Sequence, residues 1–329
     1  MSHRSPFCGF LFALFPALAL ASGTGGVDLS VSTSLLSGST RELVYAGDEV
    51  LSELVWPVEG IASLALEAGI PLGGDLRLSA SLDAAIPGKC GSMEDSDFMN
   101  IPASDIKTHY SRHDTRLDYL VDVSLALSRE FDTGLKGLGS PYSLTLIPGI
   151  GIRYRACSWS GSDGYTQYSF VDGTGTYEGW SESLPKDYLS GKVIDYSQRY
   201  ILAFASLAAN LPIGSAWSLT AAVSASPFIS CVGEDRHFLT FTNYEDRMRG
   251  GIFVEPSLTV SWQTVRDTRE SRLFISGIWT RFSGLRGKTL TRTNDGDLLS
   301  VDKDTGGSDS SVFAVRAGYS FRYGARKAD

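Results

Sequence analysis

Apolar and polar residues alternate with a period of two along most of the chain. In LRLSASLDAAI, Leu76, Leu78, Ala80, Leu82, Ala84 and Ile86 alternate with Arg77, Ser79, Ser81 and Asp83, which on an extended strand places one set on each face. The same holds for LDYLVDVSLAL, where Leu117, Tyr119, Val121, Val123, Leu125 and Leu127 oppose Asp118, Asp122 and Ser124. In SSVFAVRAGYSFRYG, Phe313, Val315, Ala317, Tyr319, Phe321 and Tyr323 face away from Arg316, Ser320 and Arg322. Neither a helical period nor an internal repeat is visible. The connections alternate too: PLGGDL, EFDTGLKGLGSPY, PIGSAW and TVRDTRESR are short, whereas those around residues 40–50, 90–114, 159–190, 233–250 and 287–309 are long and polar. About ten strands, with short turns at one end and long loops at the other, predict an all-β fold, a transmembrane antiparallel β-barrel of the bacterial outer membrane.

A soluble β-sandwich also alternates, so the charges decide between the two. The polar face carries Arg77, Asp83, Asp118, Asp122, Arg316 and Arg322, which suits a wet lumen rather than a dry core, and tyrosines near the strand ends suit an aromatic girdle. The mean hydropathy is −0.02. A basic start at Arg4, an apolar run from Phe7 to Leu20 and the small residues Ala19 and Ala21 predict a secretory signal peptide over residues 1–21. Residues 22–329 are then a single barrel domain.

The formal net charge is −8, one unit more negative once Arg4 is removed, which makes nucleic acid a poor partner. Cys8 leaves with the signal, so Cys90, Cys157 and Cys231 remain. That number is odd, so at least one thiol is unpaired or pairs outside the chain.

The chemistry gathers in the long segments. GSMEDSDFMN holds Asp95 and Asp97, SRHD follows with Ser111 and His113, EDRH holds Asp235 and His237, and STRELVY holds Glu42. Residues two apart on a strand share a face, so each of these pairs points together, and two carboxylates that close must have at least one shifted pKa. An Asp beside a His fixes its tautomer and stabilises the imidazolium. His237 then reads as a general base on water, with the opposite carboxylates holding that water. Ser111 and His113 read as supporting residues, since side chains two apart stand parallel rather than aimed at each other. No metal is expected, for no Cys-x-x-Cys spacing exists.

At these residues the chain resembles the omptin family of Gram-negative outer-membrane endopeptidases, through LLSGSTRELVY, GSMEDSDFMN, SRHDTRLDY, SQRY, EDRH and GIWTRFSGLRGKT, in that order, from about Val27 to Tyr323. The resemblance implies a ten-stranded barrel rising above the membrane with an outward-facing cleft, and polypeptide cleavage between basic residues without an acyl-enzyme. It assigns the catalytic pairs to Asp95 with Asp97 and to Asp235 with His237. It places Ser111 and His113 near the site and puts Glu42 and Met93 in a pocket for a cationic substrate side chain. The second acid of that pocket would stand where this chain has Gly233, so one pocket charge is absent there. Glu234 is adjacent, but on an extended strand it faces away from Asp235. The family's need for lipopolysaccharide implies phosphate-binding arginines on the outer surface: Arg199 matches one, whereas Ile152, Tyr154 and Ala156 occupy the other cluster, with Arg153 and Arg155 in the opposite phase. A barrel that merely captures cationic peptides or host proteins as an adhesin is the alternative, and it needs negative charge but not His237. A pore is disfavoured, because so few strands leave little lumen after side chains.

Overall fold

A computed structural model describes residues 26–266 and 269–323, which contain strands and no helix. The strands are β1 (Val27–Ala46), β2 (Glu49–Gly73), β3 (Leu76–Ala85), β4 (Gly88–Asp97), β5 (His109–Arg129), β6 (Phe131–Lys136), β7 (Ser143–Tyr168), β8 (Asp187–Tyr188), β9 (Lys192–Ile213), β10 (Trp217–Ser226), β11 (Ile229–His237), β12 (Thr242–Arg249), β13 (Ile252–Arg266), β14 (Arg269–Thr293) and β15 (Leu298–Tyr323). β3 runs into β4, β10 into β11 and β12 into β13, each across two residues. Ten strands result, each antiparallel to its neighbours. The ring closes where β15 pairs with β1, from Val27 opposite Tyr323 to Val44 opposite Gly306. Closure leaves no backbone edge unsatisfied in lipid. β6 and β8 are short additions to β7. The expected signal peptide and the chain's last six residues lie outside the described residues.

The lower half follows the alternation. Leu35, Leu64, Ile150, Ile201, Ile275 and Val315 are exposed on its outer face, forming the apolar band a bilayer requires. Trp217, Trp262, Tyr319 and Phe321 toward the short turns, and Tyr119, Tyr154, Trp279 and Phe313 higher up, are exposed aromatics placed as two girdles. Inside is a cavity of about 690 Å³ lined by serines and ion pairs. Arg153 bonds Asp122 at 2.6 Å and Glu255 at 2.8 Å, Arg322 bonds Asp28 at 2.7 Å, and Arg316 pairs with Asp83.

The upper half departs from the sequence reading in two ways. The segments expected to be long loops are largely strand, with chain outside strands only at residues 47–48, 98–108, 238–241 and 294–297 and around β8. Moreover, the alternation changes phase on the way up. On β5 the register shifts between Leu117 and Tyr119, so Leu117, expected on the same outer face as Tyr119, is instead fully buried inside. Gly60 on β2 and Gly284 on β14 adopt φ of 65° and 70° beside similar shifts. One extra residue moves every later side chain to the opposite face. Below Gly60, Leu64 and Leu66 face out; above it, Leu54, Trp56 and Val58 are buried.

These inverted apolar positions fill the barrel at mid-height. Trp56 stacks on Tyr196 with centroids 5.3 Å apart, and Phe282 packs against Tyr200 at 4.5 Å and Phe253 at 5.1 Å. Gln198, fully buried among them, donates to Ser308 Oγ at 2.7 Å and accepts from Tyr200, so this plug contains no unmet polar demand at its centre.

Candidate active site

Above the plug, β4 and β11 stand on opposite sides of the ring, with β5, β7 and β9 between them. Each presents its inward phase. On β4, Met93, Asp95 and Asp97 lie opposite His113, Ser111 and His109 of β5. On β11, Gly233, Asp235 and His237 lie opposite Asp246, Tyr244 and Thr242 of β12. The Asp pair and the Asp-His pair predicted from sequence therefore face one cleft.

His237 Nε2 lies 2.6 Å from Asp235 Oδ2, and Tyr244 meets its ring edge-on at 5.4 Å. With its Nε2 proton donated to Asp235, Nδ1 is left as the lone-pair acceptor of the neutral ring. Burial works against the imidazolium, but the hydrogen bond and charge of Asp235, with Asp95 and Asp97 beyond, outweigh it and raise the pKa of His237. Asp235 is itself raised by burial, with His237 opposing. Across the cleft, burial and the charge of Asp97 push Asp95 to about 8, while Ser52 Oγ donates to it at 3.1 Å. Asp97 is also raised by burial, against the pull of Ser52 and His109. Near neutral pH the cleft thus has a proton to give at Asp95, while His237 holds its proton more tightly than a free imidazole.

Ser111 and His113 do more than stand parallel. His113 Nδ1 donates to the Asp163 carbonyl at 2.7 Å, so Nε2 accepts from Ser111 Oγ at 3.1 Å. Burial lowers the pKa of His113 and keeps it neutral. This fixed serine lies beside Asp95 in register. His109 and His113 are four apart, about 13 Å along an extended strand, and they serve different neighbours.

Glu42 is buried and accepts from Trp56 Nε1 at 3.2 Å. Burial, then the charges of Asp235 and Asp246, hold its pKa well above the usual carboxylate range. Met93 is buried in the plug two residues before Asp95, as a pocket wall would be. Glu234 does face outward, where it pairs with Arg199. Sequence reasoning missed Ser52, His109 and above all Asp246. Asp246 is set opposite Gly233 because NYEDRMR pairs back on β11 after the turn that follows His237.

On the outer surface, the arginines considered for lipid phosphate do not assemble. Arg199 faces out but is neutralised by Glu234, while Arg153 and Arg155 point inward to Asp122. These residues do not fit the phosphate-binding cluster that the family resemblance implies. Cys90, Cys157 and Cys231 are all buried free thiols.

The omptin family's sequence profile matches residues 24–323. The chain is 23% identical over 301 residues to the plasminogen activator of Yersinia pestis, covering 90% of this chain and 89% of that one. It is 23% identical over 308 residues to the outer membrane protease OmpP of Escherichia coli, covering 92% and 91%. Among solved structures, the outer membrane protease OmpT of Escherichia coli superposes with a TM-score of 0.76 at 21% identity, over 91% of this chain and 97% of that one. This protein of the Gram-negative outer membrane, its cleft open to the cell surface, belongs to the omptin family.

Proposed function

We propose that this outer-membrane protease hydrolyses polypeptides beside basic residues, using a water that His237 deprotonates while Asp95 and Asp97 hold it against the scissile carbonyl. The observation that carries this reading is the 2.6 Å bond from His237 Nε2 to Asp235, which occupies one ring nitrogen and leaves Nδ1 as the acceptor in a cleft where the charges of Asp95 and Asp97 are felt. Nδ1 takes the water proton as the oxygen bonds to the carbonyl carbon; the resulting imidazolium is stabilised by Asp235. Asp95, protonated near neutrality, donates a hydrogen bond to the oxygen that becomes negative in the tetrahedral intermediate. The imidazolium then returns its proton to the amine as the C–N bond breaks. Glu42 receives the basic side chain, and the acidic rim concentrates cationic peptides by attraction that weakens with salt.

Capture without cleavage, as an adhesin, would need only negative charge and not the His237–Asp235 bond. The test is to refold the chain with and without lipopolysaccharide and compare quenched fluorescent peptides containing Arg-Arg or Ala-Ala. The Arg-Arg peptide is expected to be cut and the Ala-Ala peptide spared. Equal rates for the parent and for Asp95→Ala and His237→Ala would overturn the mechanism.

A further inference from the structure

The position two residues before Asp235 carries no charge, yet its cross-strand partner does. Gly233 pairs in register with Asp246 of β12, and a Cβ built at Gly233 would lie 3.6 Å from the Cβ of Asp246. The Asp246 side chain lies over β15, where a Cβ at Gly306 would come 2.3 Å from its Oδ1. Glu42 pairs with Ser308, two residues from Gly306 on the same face of β15, so the two acids flank backbone positions about 7 Å apart on one strand, and the charge of Asp246 is felt at Glu42. Both are buried, and among the described residues neither has a cationic partner. Asp246 accepts from Thr289 Oγ1 at 2.5 Å and Glu42 from Trp56. Beside them, Asp235 Oδ1 is buried with no hydrogen-bond partner. A buried acceptor without a donor, next to two acids without a cation, leaves an unmet demand for N–H groups and positive charge.

We propose that Asp246 is the second acid of the Glu42 pocket, supplied from the neighbouring strand in place of the one absent at Gly233, and that the two carboxylates together bind one guanidinium side chain of the substrate. This rests on the peptidase reading above and gives it a substrate class. Arginine is favoured over lysine, because a planar fork of five donors reaches two separated carboxylates where an ammonium reaches one. Burial pushes Asp246 up to about 7 and holds Glu42 well above the usual carboxylate range, so an arriving cation meets acids that hold protons more tightly than free carboxylates do. A purely structural Asp246, satisfied by Thr289 alone, would show no dependence on the substrate's charge.

The test uses two peptides that differ only in arginine or norleucine before the scissile bond. Asp246→Asn, which can still accept from Thr289, is expected to lower the arginine-to-norleucine ratio of kcat/KM at least tenfold. Adding Gly233→Asp to that variant is expected to restore most of the ratio. The backbone there is not left-handed and a Cβ meets nothing closer than 3.4 Å, so the new carboxyl enters the same pocket. In the parent, Gly233→Asp is expected to change the ratio less than threefold. A ratio unchanged by Asp246→Asn, or lowered and not lifted by Gly233→Asp, overturns the assignment. Equilibrium binding of the same peptides to His237→Ala, with and without Asp246→Asn, is the second readout. A parent that cuts neither peptide overturns the peptidase reading, and the binding ratio then judges Asp246 by itself.

Discussion

The barrel holds inward-facing carboxylates at two heights, and their surroundings differ. In the membrane-spanning half Asp28, Asp83, Asp122 and Glu255 each meet an arginine. In the cleft, Glu42, Asp95, Asp97, Asp235 and Asp246 meet hydroxyls, an indole and His237, and among the described residues no Lys or Arg. Both groups come from the same residue types on strands of one closed sheet, so neither composition nor phase separates them. The partner does. Charges in the lower half are matched within the fold, whereas in the upper half burial, with neighbouring acids and no Lys or Arg ion pair among the described residues, raises proton affinities.

The largest test of this contrast removes the base. His237→Ala is expected to cut kcat by 10³-fold or more, at the upper part of the range of roughly 10²–10⁴ for a general base, with the heat-dependent gel mobility of a folded barrel retained. Asp95→Ala should cost about 10²-fold, since it removes the donor to the oxygen that becomes negative. A lower-half change should do the reverse. Asp122→Asn strands part of the Arg153 charge and is expected to cost about 3–5 kcal/mol of unfolding free energy, read from denaturant unfolding in lipid, while the folded fraction cleaves at the parent rate.

The pH dependence sharpens the same contrast. The pKa of Asp95 in the fold, about 8, exceeds its ordinary 3.8, so its contribution to stability is complete below about pH 4 and is lost as pH rises toward 8. Asp95→Asn is therefore expected to melt above the parent at pH 8 and level with it at pH 4. A constant gap in Tm at both pH values would break the comparison. Cleavage should climb as pH rises through the pKa of His237, which lies above its ordinary 6.5. The smallest effect expected is that of Arg199→Ala: its charge is met by Glu234, and the rate, measured with lipopolysaccharide present, should change less than twofold.

Much of this was legible in the sequence. The lower half obeys a strict period of two because lipid outside and water inside demand it, so Arg77, Asp83 and Arg316 could be placed inward from LRLSASLDAAI and SSVFAVRAGYSFRYG alone. The pairs Asp95 with Asp97 and Asp235 with His237 were legible because spacing two survives any choice of phase. Phase itself was not. Carried upward from Tyr119 and Val121, the alternation on β5 would put Ser111 and His113 in lipid phase, and only the irregularity at Leu117–Tyr119 turns them to the cleft. A single bulge leaves no mark in a pattern of apolar and polar letters. Asp246 was missed for a different reason: its partner across the hairpin depends on a turn at residues 238–241, and in RHFLTFTNYEDR no glycine or proline marks where the chain reverses.

The aromatic plug at mid-height sets what such a protein costs the cell that displays it. Trp56, Trp159 and Phe282 are buried between the ionic cavity and the cleft, so the bore at that height is occupied by aromatic rings. Each copy adds a catalytic mouth without adding a leak. The number of molecules a bacterium can display is then limited by membrane area and not by loss of its permeability barrier, and hollowing the plug, as Trp56→Ala with Phe282→Ala would, should turn a surface enzyme into an antibiotic-sensitising hole.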